Sequence, residues 1–291
     1  MALSLASKAS GNGTDGDVTI TKPSSLAEGD LMIAFITSTT GGSGGEAHTG
    51  PSGWTKLQAV VVSNGTILTV WGVVATSTQT AATNFSWASS STNDNTTGII
   101  YRITGALAFG ALATNVTSTS GHSFDYPTAS FSGLTTARDN ALLLMCAAKG
   151  TINGRVTFSD YAVANSNPTW TQQDSLYYEP SGLAISMAVA SATYPTAGAT
   201  GNFSITMSRD GDNISGALVA IYESQGSTFN ADPLVINATL PDPTVMGNAN
   251  TTVTPLVLTA TLPNQTASVE TSKWTNKDKS TAPSWVNKEK S

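Results

Sequence analysis

The stretch Asn140-Ala141-Leu142-Leu143-Leu144-Met145-Cys146-Ala147-Ala148 is the most hydrophobic run in the chain, and its reading decides the fold. It is much shorter than the about 20 apolar residues needed to cross a bilayer. A run of this length fits a strand inside a sandwich, packed against a second sheet. An earlier run matches it, Gly29-Asp30-Leu31-Met32-Ile33-Ala34-Phe35-Ile36. Each follows a similar approach, Leu26-Ala27-Glu28 in one case and Leu134-Thr135-Thr136-Ala137-Arg138 in the other.

Outward from these runs, further blocks recur in the same order. Pro51-Ser52-Gly53-Trp54-Thr55 is answered by Asn167-Pro168-Thr169-Trp170-Thr171. Leu68 to Ala75 is answered by Leu183 to Ala190, Thr83 to Trp87 by Gly201 to Ile205, and Gly98 to Ile103 by Gly216 to Ile221. The offset drifts from about 110 to about 118 residues, and the drift falls in loops, where insertions cost little. The pattern predicts an internal duplication, with a first unit over residues 18–106 and a second over 107–225. Val18 to Thr21 leads the first unit and Phe124 to Phe131 the second.

Short runs rich in Val, Ile, Phe, Trp and Thr, separated by Gly, Asn and Pro turns, point to antiparallel sheets. Asn64-Gly65 is a strong hairpin signal. No helix pattern stands out. The expected fold is all-β: two similar antiparallel β-sandwich or jelly-roll-like units in close contact, followed by an extended C-terminal tail. One interleaved double sheet is the alternative arrangement. Residues 1–17, polar and glycine-rich, read as an N-terminal tether or a loosely held first strand.

Charged residues make up 11% of the 291, well below the roughly 25% of an ordinary soluble domain. The formal net charge of -6 argues against a nucleic-acid partner held by its phosphates. Cys146 is the single cysteine, so no intrachain disulfide forms. In its apolar run it reads as a small buried hydrophobe rather than a reactive thiolate. The N-terminus lacks the apolar region of a signal peptide, and no membrane segment is expected.

Catalytic motifs are weak. The two histidines are His48, in a loop with Glu46 nearby, and His122, with Asp125 as a turn neighbour. Gly41-Gly42-Ser43-Gly44-Gly45 matches a nucleophile-elbow pattern but leads into no helix, so it reads as a flexible loop. No catalytic residue, metal site or cofactor is expected. The one cation reading is calcium at Asp210 and Asp212, with Asp15-Gly16-Asp17 as a similar turn, and Glu46, Asp94 or Glu179 as further oxygen donors. Neither turn supplies a full ligand set. Trp54 and Trp170 read as packed at strand starts. Trp71, Trp87, Tyr101, Tyr177 and Tyr178 are the aromatics a glycan platform would draw on, though Trp71 and Trp87 lie in apolar strands.

The texture changes beyond residue 225. Pro233-Leu234-Val235-Ile236-Asn237-Ala238-Thr239-Leu240-Pro241 recurs as Pro255-Leu256-Val257-Leu258-Thr259-Ala260-Thr261-Leu262-Pro263. Each is a proline-bounded strand without a partner in its own segment, suited to adding onto another sheet edge. The ending carries a second repeat, Trp274-Thr275-Asn276-Lys277 and Trp285-Val286-Asn287-Lys288. Residues 226–291 are therefore read as a docking tail, with Leu234, Ile236, Leu256, Leu258, Trp274, Asn276, Trp285 and Asn287 as contact residues.

The succession Gly29-Asp30-Leu31, Pro51-Ser52-Gly53-Trp54-Thr55 and Gly98-Ile99-Ile100-Tyr101-Arg102 resembles β-sandwich domains of tailed-bacteriophage virion proteins, as do the tail repeats. The resemblance covers about residues 18–224 and 231–291. It implies a noncatalytic structural role in the particle, as capsid decoration, head fibre or tail appendage. It also implies assembly in the host cytoplasm, other virion proteins as partners and a homo-oligomer. A glycan-binding receptor module at a tail tip is the alternative function, with a host glycan as ligand.

Overall fold

A computed structural model describes residues 3–39, 47–61, 65–89, 94–105, 112, 116–123, 125–151, 154–180, 182–209 and 214–223. The tail and all eight docking residues named above lie outside them. The described chain is all-β. Its first half contains β1 (Ser4–Gly13), β2 (Val18–Thr21), β3 (Leu31–Thr39), β4 (Thr55–Val61), β5 (Thr66–Val74), β6 (Asn84–Trp87) and β7 (Thr96–Thr104). A one-turn helix, α1 (Ser77–Ala81), sits between β5 and β6. The second half contains β8 (Val116–Ser123), β9 (Thr128–Phe131), β10 (Thr135–Thr136), β11 (Ala141–Thr151) and β12 (Phe158–Val163). It continues through β13 (Thr171–Tyr178), β14 (Ala184–Tyr194), β15 (Gly198–Ala199), β16 (Phe203–Met207) and β17 (Ile214–Ile221).

Each half builds one large antiparallel sheet. The strand orders are β1-β7-β3-β5-β4 and β8-β17-β11-β14-β13. They are the same order, strand for strand. Register agrees as well: Leu31 pairs with Ile103 and Val74, and Leu142 pairs with Ile221 and Thr193. Even an irregularity is shared. The edge strand β4 slips by one residue between Lys56 and Gln58, and β13 slips at the equivalent place between Gln172 and Asp174.

The two large sheets pack face to face. Leu31, Ile33, Phe35, Val70 and Tyr101 from the first share one core with Leu144, Cys146, Val189 and Val219 from the second. Because strand side chains alternate, the other face of each sheet needs its own cover. In the first half β2 and β6 cover it, enclosing Met32, Ala34, Ile36, Trp54 and Trp87. In the second half a three-stranded sheet, β9-β16-β12, does so. The result is four stacked layers with the large sheets inside. All nine residues of β3 are buried, which explains why its sequence does not alternate.

A glycine pair sets the spacing of each outer layer. Gly11 lies opposite Gly98 in the first large sheet, and Gly121 opposite Gly216 in the second. The leading strand of the small sheet crosses over each pair. Ile20 sits there in the first half and Phe131 in the second, each paired with a phenylalanine, Phe85 and Phe203. A Cβ on Gly98 would lie 2.6 Å from Ile36 Cδ1 and 2.9 Å from Ile20 Cδ1, and one on Gly216 would lie 2.7 Å from the Phe131 ring.

Several expectations need correction. Residues 4–13, expected as a tether or loose strand, form β1, a full edge strand paired with β7 along its length. Its alternating half-buried pattern and its glycines hide it in the sequence. Of the strand expected over Phe124 to Phe131, residues 125–127 are not strand and Thr128–Phe131 are, and β8 precedes them as the counterpart of β1. Leu68 is equivalent to Met187, not Leu183, because Thr37 pairs with Leu68 and its counterpart Ala148 pairs with Met187. The helix α1 is also unanticipated, although Thr76 and Gln79 form a capping box that marks its start. Cys146 is fully buried in the central core as expected, and burial pushes its thiol pKa well up, which suppresses thiolate chemistry.

Two substitutions test this packing. Gly98→Val or Gly216→Val should each lower unfolding stability by about 1–3 kcal/mol or more, because the added atoms meet a filled core. Tyr101 is buried, and its hydroxyl has no hydrogen-bond partner among the described residues. Tyr101→Phe should therefore leave the urea midpoint unchanged or raise it.

Candidate functional site

The polar groups that fold most deliberately into this apolar stack surround His48. His48 belongs to the short segment Ala47 to Gly50, which joins the first small sheet through a bridge between Thr49 and Ala88. Its ring is buried against the outer face of the first large sheet. His48 Nε2 lies 2.6 Å from Ser38 Oγ on β3, and Ser38 Oγ lies 2.7 Å from Thr96 Oγ1 on β7. On the other side, His48 Nδ1 lies 2.9 Å from Thr69 Oγ1 on β5. Thr69 Oγ1 also accepts from Trp71 Nε1 at 2.9 Å and donates to the Ile36 carbonyl at 3.5 Å.

One proton arrangement uses every hydrogen once. Thr96 donates to Ser38, Ser38 to His48 Nε2, His48 Nδ1–H to Thr69, and Thr69 to Ile36. This makes His48 the neutral Nδ1–H tautomer. Burial, with a smaller contribution from the Lys56 charge, lowers its pKa from 6.5 to about 3. Protonation would place a second N–H against Ser38, whose own hydrogen would lose its acceptor.

The other half fills the same place differently. Thr49 opposite Ala88 corresponds to Ser159 opposite Thr206, so His48 takes the position of Phe158. Thr69 takes the position of Ala188, and Thr96 that of Ile214. All three counterparts belong to an apolar core. The fourth member, Ser38, corresponds to Lys149, which is also buried. The His48 group is thus a hydrogen-bonded plug in a position that its counterpart fills with apolar residues around one buried lysine. Ser38 and His48 have the residue types of a nucleophile and its base, but both are fully buried and bonded among themselves. The geometry fits a structural lock joining β3, β5 and β7 to the segment beneath them.

Among the described residues, the remaining sequence candidates lie on separate elements of the fold. Glu46, the glycine run 41–45, Asp210 and Asp212 lie outside the described residues. Asp15-Gly16-Asp17 forms the turn between β1 and β2, with Gly16 N donating to the Asp94 carbonyl at 2.9 Å. Among the described residues no group of three or more His, Cys, Asp or Glu is placed to hold a metal ion. Asp125, expected as a turn neighbour of His122, accepts from Ser123 Oγ at 3.1 Å. Glu179 is half-buried just after β13.

Of the aromatics considered for a glycan platform, Trp71, Trp87 and Tyr101 are buried. Trp54 is buried edge-on to Phe85 and Trp87, at 5.3 and 5.2 Å between ring centroids. Its counterpart Trp170 is half-buried, with Nε1 donating to Asn167 Oδ1 at 3.1 Å. Tyr161, also packed against the second outer core, donates to Gln172 Oε1 at 3.1 Å. Tyr177 and Tyr178 are half-buried on β13.

His48 makes a pH prediction. Its pKa is lower in the folded chain than in the unfolded one, so the unfolded chain binds more protons between about pH 3 and 6.5. Stability from this group is complete above pH 6.5 and is lost as pH falls, at up to about 1.4 kcal/mol per pH unit. Urea unfolding of His48→Phe, patterned on Phe158, should show a shallower loss between pH 6.5 and 4 than the parent chain.

Comparison with protein-family models, with curated proteins and with solved structures finds no match to this chain.

Proposed function

We propose that the chain is a noncatalytic structural protein of a tailed-phage particle. It would decorate the capsid or form a head or tail appendage, with its tail docked on neighbouring subunits. The observation that carries this reading is how Cys146 and the Ser38–His48 pair are used. The thiol of Cys146, the imidazole of His48 and the hydroxyl of Ser38 are all buried in packing or in closed hydrogen-bond chains. A body of this kind supports assembly by fit rather than turnover. The sequence resemblance to virion β-sandwich proteins, and the proline-bounded and Trp-Asn-Lys repeats of residues 226–291, support the docking role.

The large sheets also bear on where the tail would dock. Edge strands β1, β4 and β13 each carry a register shift, and β8 is bridged by Gln58. Such edges are poor acceptors for an added strand, which favours an acceptor other than these large-sheet edges on the neighbouring subunits. We expect a homo-oligomer on a symmetric lattice.

A second reading, host-glycan recognition, rests on Trp170, half-buried and bonded through its Nε1 to the Asn167 amide oxygen, with the hydrogen-bonded Tyr161 and Gln172 on the same outer core. Tryptophan fluorescence titrated with host glycans, compared with Trp170→Ala, separates the two readings: a saturable shift lost in the variant favours the glycan role.

The structural reading is tested by truncation at residue 228. The shortened chain should keep the melting transition of the body and lose both oligomerisation and incorporation into particles. Incorporation equal to that of the full chain would remove the docking role of the tail.

A further inference from the structure

The relation between the halves is more specific than likeness. Across the central core β3 faces β11, β5 faces β17 and β14 faces β7. Since β5 corresponds to β14 and β7 to β17, exchanging the halves maps these contacts onto one another. That is the signature of an isologous, two-fold interface, in which a patch docks on its own copy.

The edges repeat the exchange. Gln58 on β4 reaches across to β8, where its Nε2 donates to the Ser118 carbonyl at 3.0 Å and its Oε1 accepts from Ser120 Oγ at 3.0 Å. Asp174 on β13 reaches across to β1, where its carboxylate lies 2.9 Å from Lys8 Nζ. Gln58 pairs opposite Val70 and Asp174 opposite Val189, the same place in the two sheets. Lys8 lies opposite Tyr101 and Ser118 opposite Val219, again the same place. The two bridges join equivalent positions, once between amide and hydroxyl residues and once as an ion pair, with β4 lying closer to β8 than β13 does to β1.

The two faces have also diverged in complementary directions. Phe35, Ile99 and Tyr101 in the first half correspond to Cys146, Ala217 and Val219 in the second. One face is bulky where the other is small. A pairing of two first halves would set Phe35 and Tyr101 against their own copies and Lys8 against Gln58. A pairing of two second halves would leave space at Cys146 and Ala217 and set Asp174 against Ser118.

We infer that the central interface is a dimer interface carried within one chain: each half is the docking partner of the other about a pseudo-two-fold axis. Large-against-small packing and the Lys8–Asp174 pair select the unlike half. The half-exposed ion pair acts through specificity more than through stability. On this basis Cys146 is small because Phe35 and Tyr101 share its core.

Two experiments on the full chain test the inference. In the first, a protease site is inserted within residues 106–111, between β7 and β8, and the purified chain is cut. Native mass spectrometry at low micromolar concentration should show one complex with one copy of each fragment, and its melting temperature should become concentration-dependent. Separated fragments, or pairs of like fragments, overturn the inference. In the second, the ion pair is grafted onto the equivalent bridge of the uncut chain. Ser118→Lys and Gln58→Asp should each lower the melting temperature, and the double variant should recover at least half of the summed loss. A double variant that loses the full sum of the two single changes overturns the pseudo-two-fold equivalence.

Discussion

Covering both faces of each large sheet is the constraint on which this structure depends. A sheet with one wet face needs apolar residues at alternate positions only, whereas these sheets need them at nearly every position. That is why β3 and β11 read as unbroken hydrophobic runs, and why two small outer sheets exist at all. It also restricts what stands where layers cross. The glycine pairs lie under the strands that cross most closely, and the aromatic or branched residue above each pair occupies the space a side chain would take.

A fourfold stack leaves few places for polar atoms, and leaving one unmatched there is costly. The His48 group shows one solution; at the same position of a similar scaffold Phe158, Ala188 and Ile214 are apolar and one polar residue, Lys149, stays buried. A fully bonded polar group costs little to bury, and an apolar group of similar shape serves as well. The difference lies in directionality. Hydrogen bonds tie Ser38, Thr69 and Thr96 on three different strands to one ring and fix the segment that bears it, where hydrocarbon contact would let that segment shift. Arg102 plays a comparable part at the start of β3, its Nε 2.6 Å from Asp30 Oδ2 and its side chain mostly buried.

The central strands were legible because double burial writes itself into composition. The run Asn140 to Ala148 and its partner from Asp30 to Ile36 led directly to equivalent central strands, and Trp54-Thr55 and Trp170-Thr171 to equivalent edge strands. The edge strand β1 was not legible, because Ser4 to Gly13 buries only one side in part and carries Lys, Ser and Gly. Nor was the register of Leu68 against Met187: Ala- and Val-rich strands resemble themselves under short shifts, and only cross-strand pairing decides between them. The His48 plug stayed hidden because its partners Ser38 and Thr69 lie 10 and 21 residues away, with no periodic signal linking them.

The shared irregularities of the edges have a consequence for behaviour in crowds. High local concentration brings the sheet edges of neighbouring copies close together, the condition under which cross-β stacking begins. Register shifts in β1, β4 and β13 each put one residue out of step with any incoming strand. β8 has regular pairing along its whole length, and it is the edge whose Ser118 carbonyl is already taken by Gln58. The four outer strands are thus guarded by two different means, so close packing of copies need not lead to fibre growth.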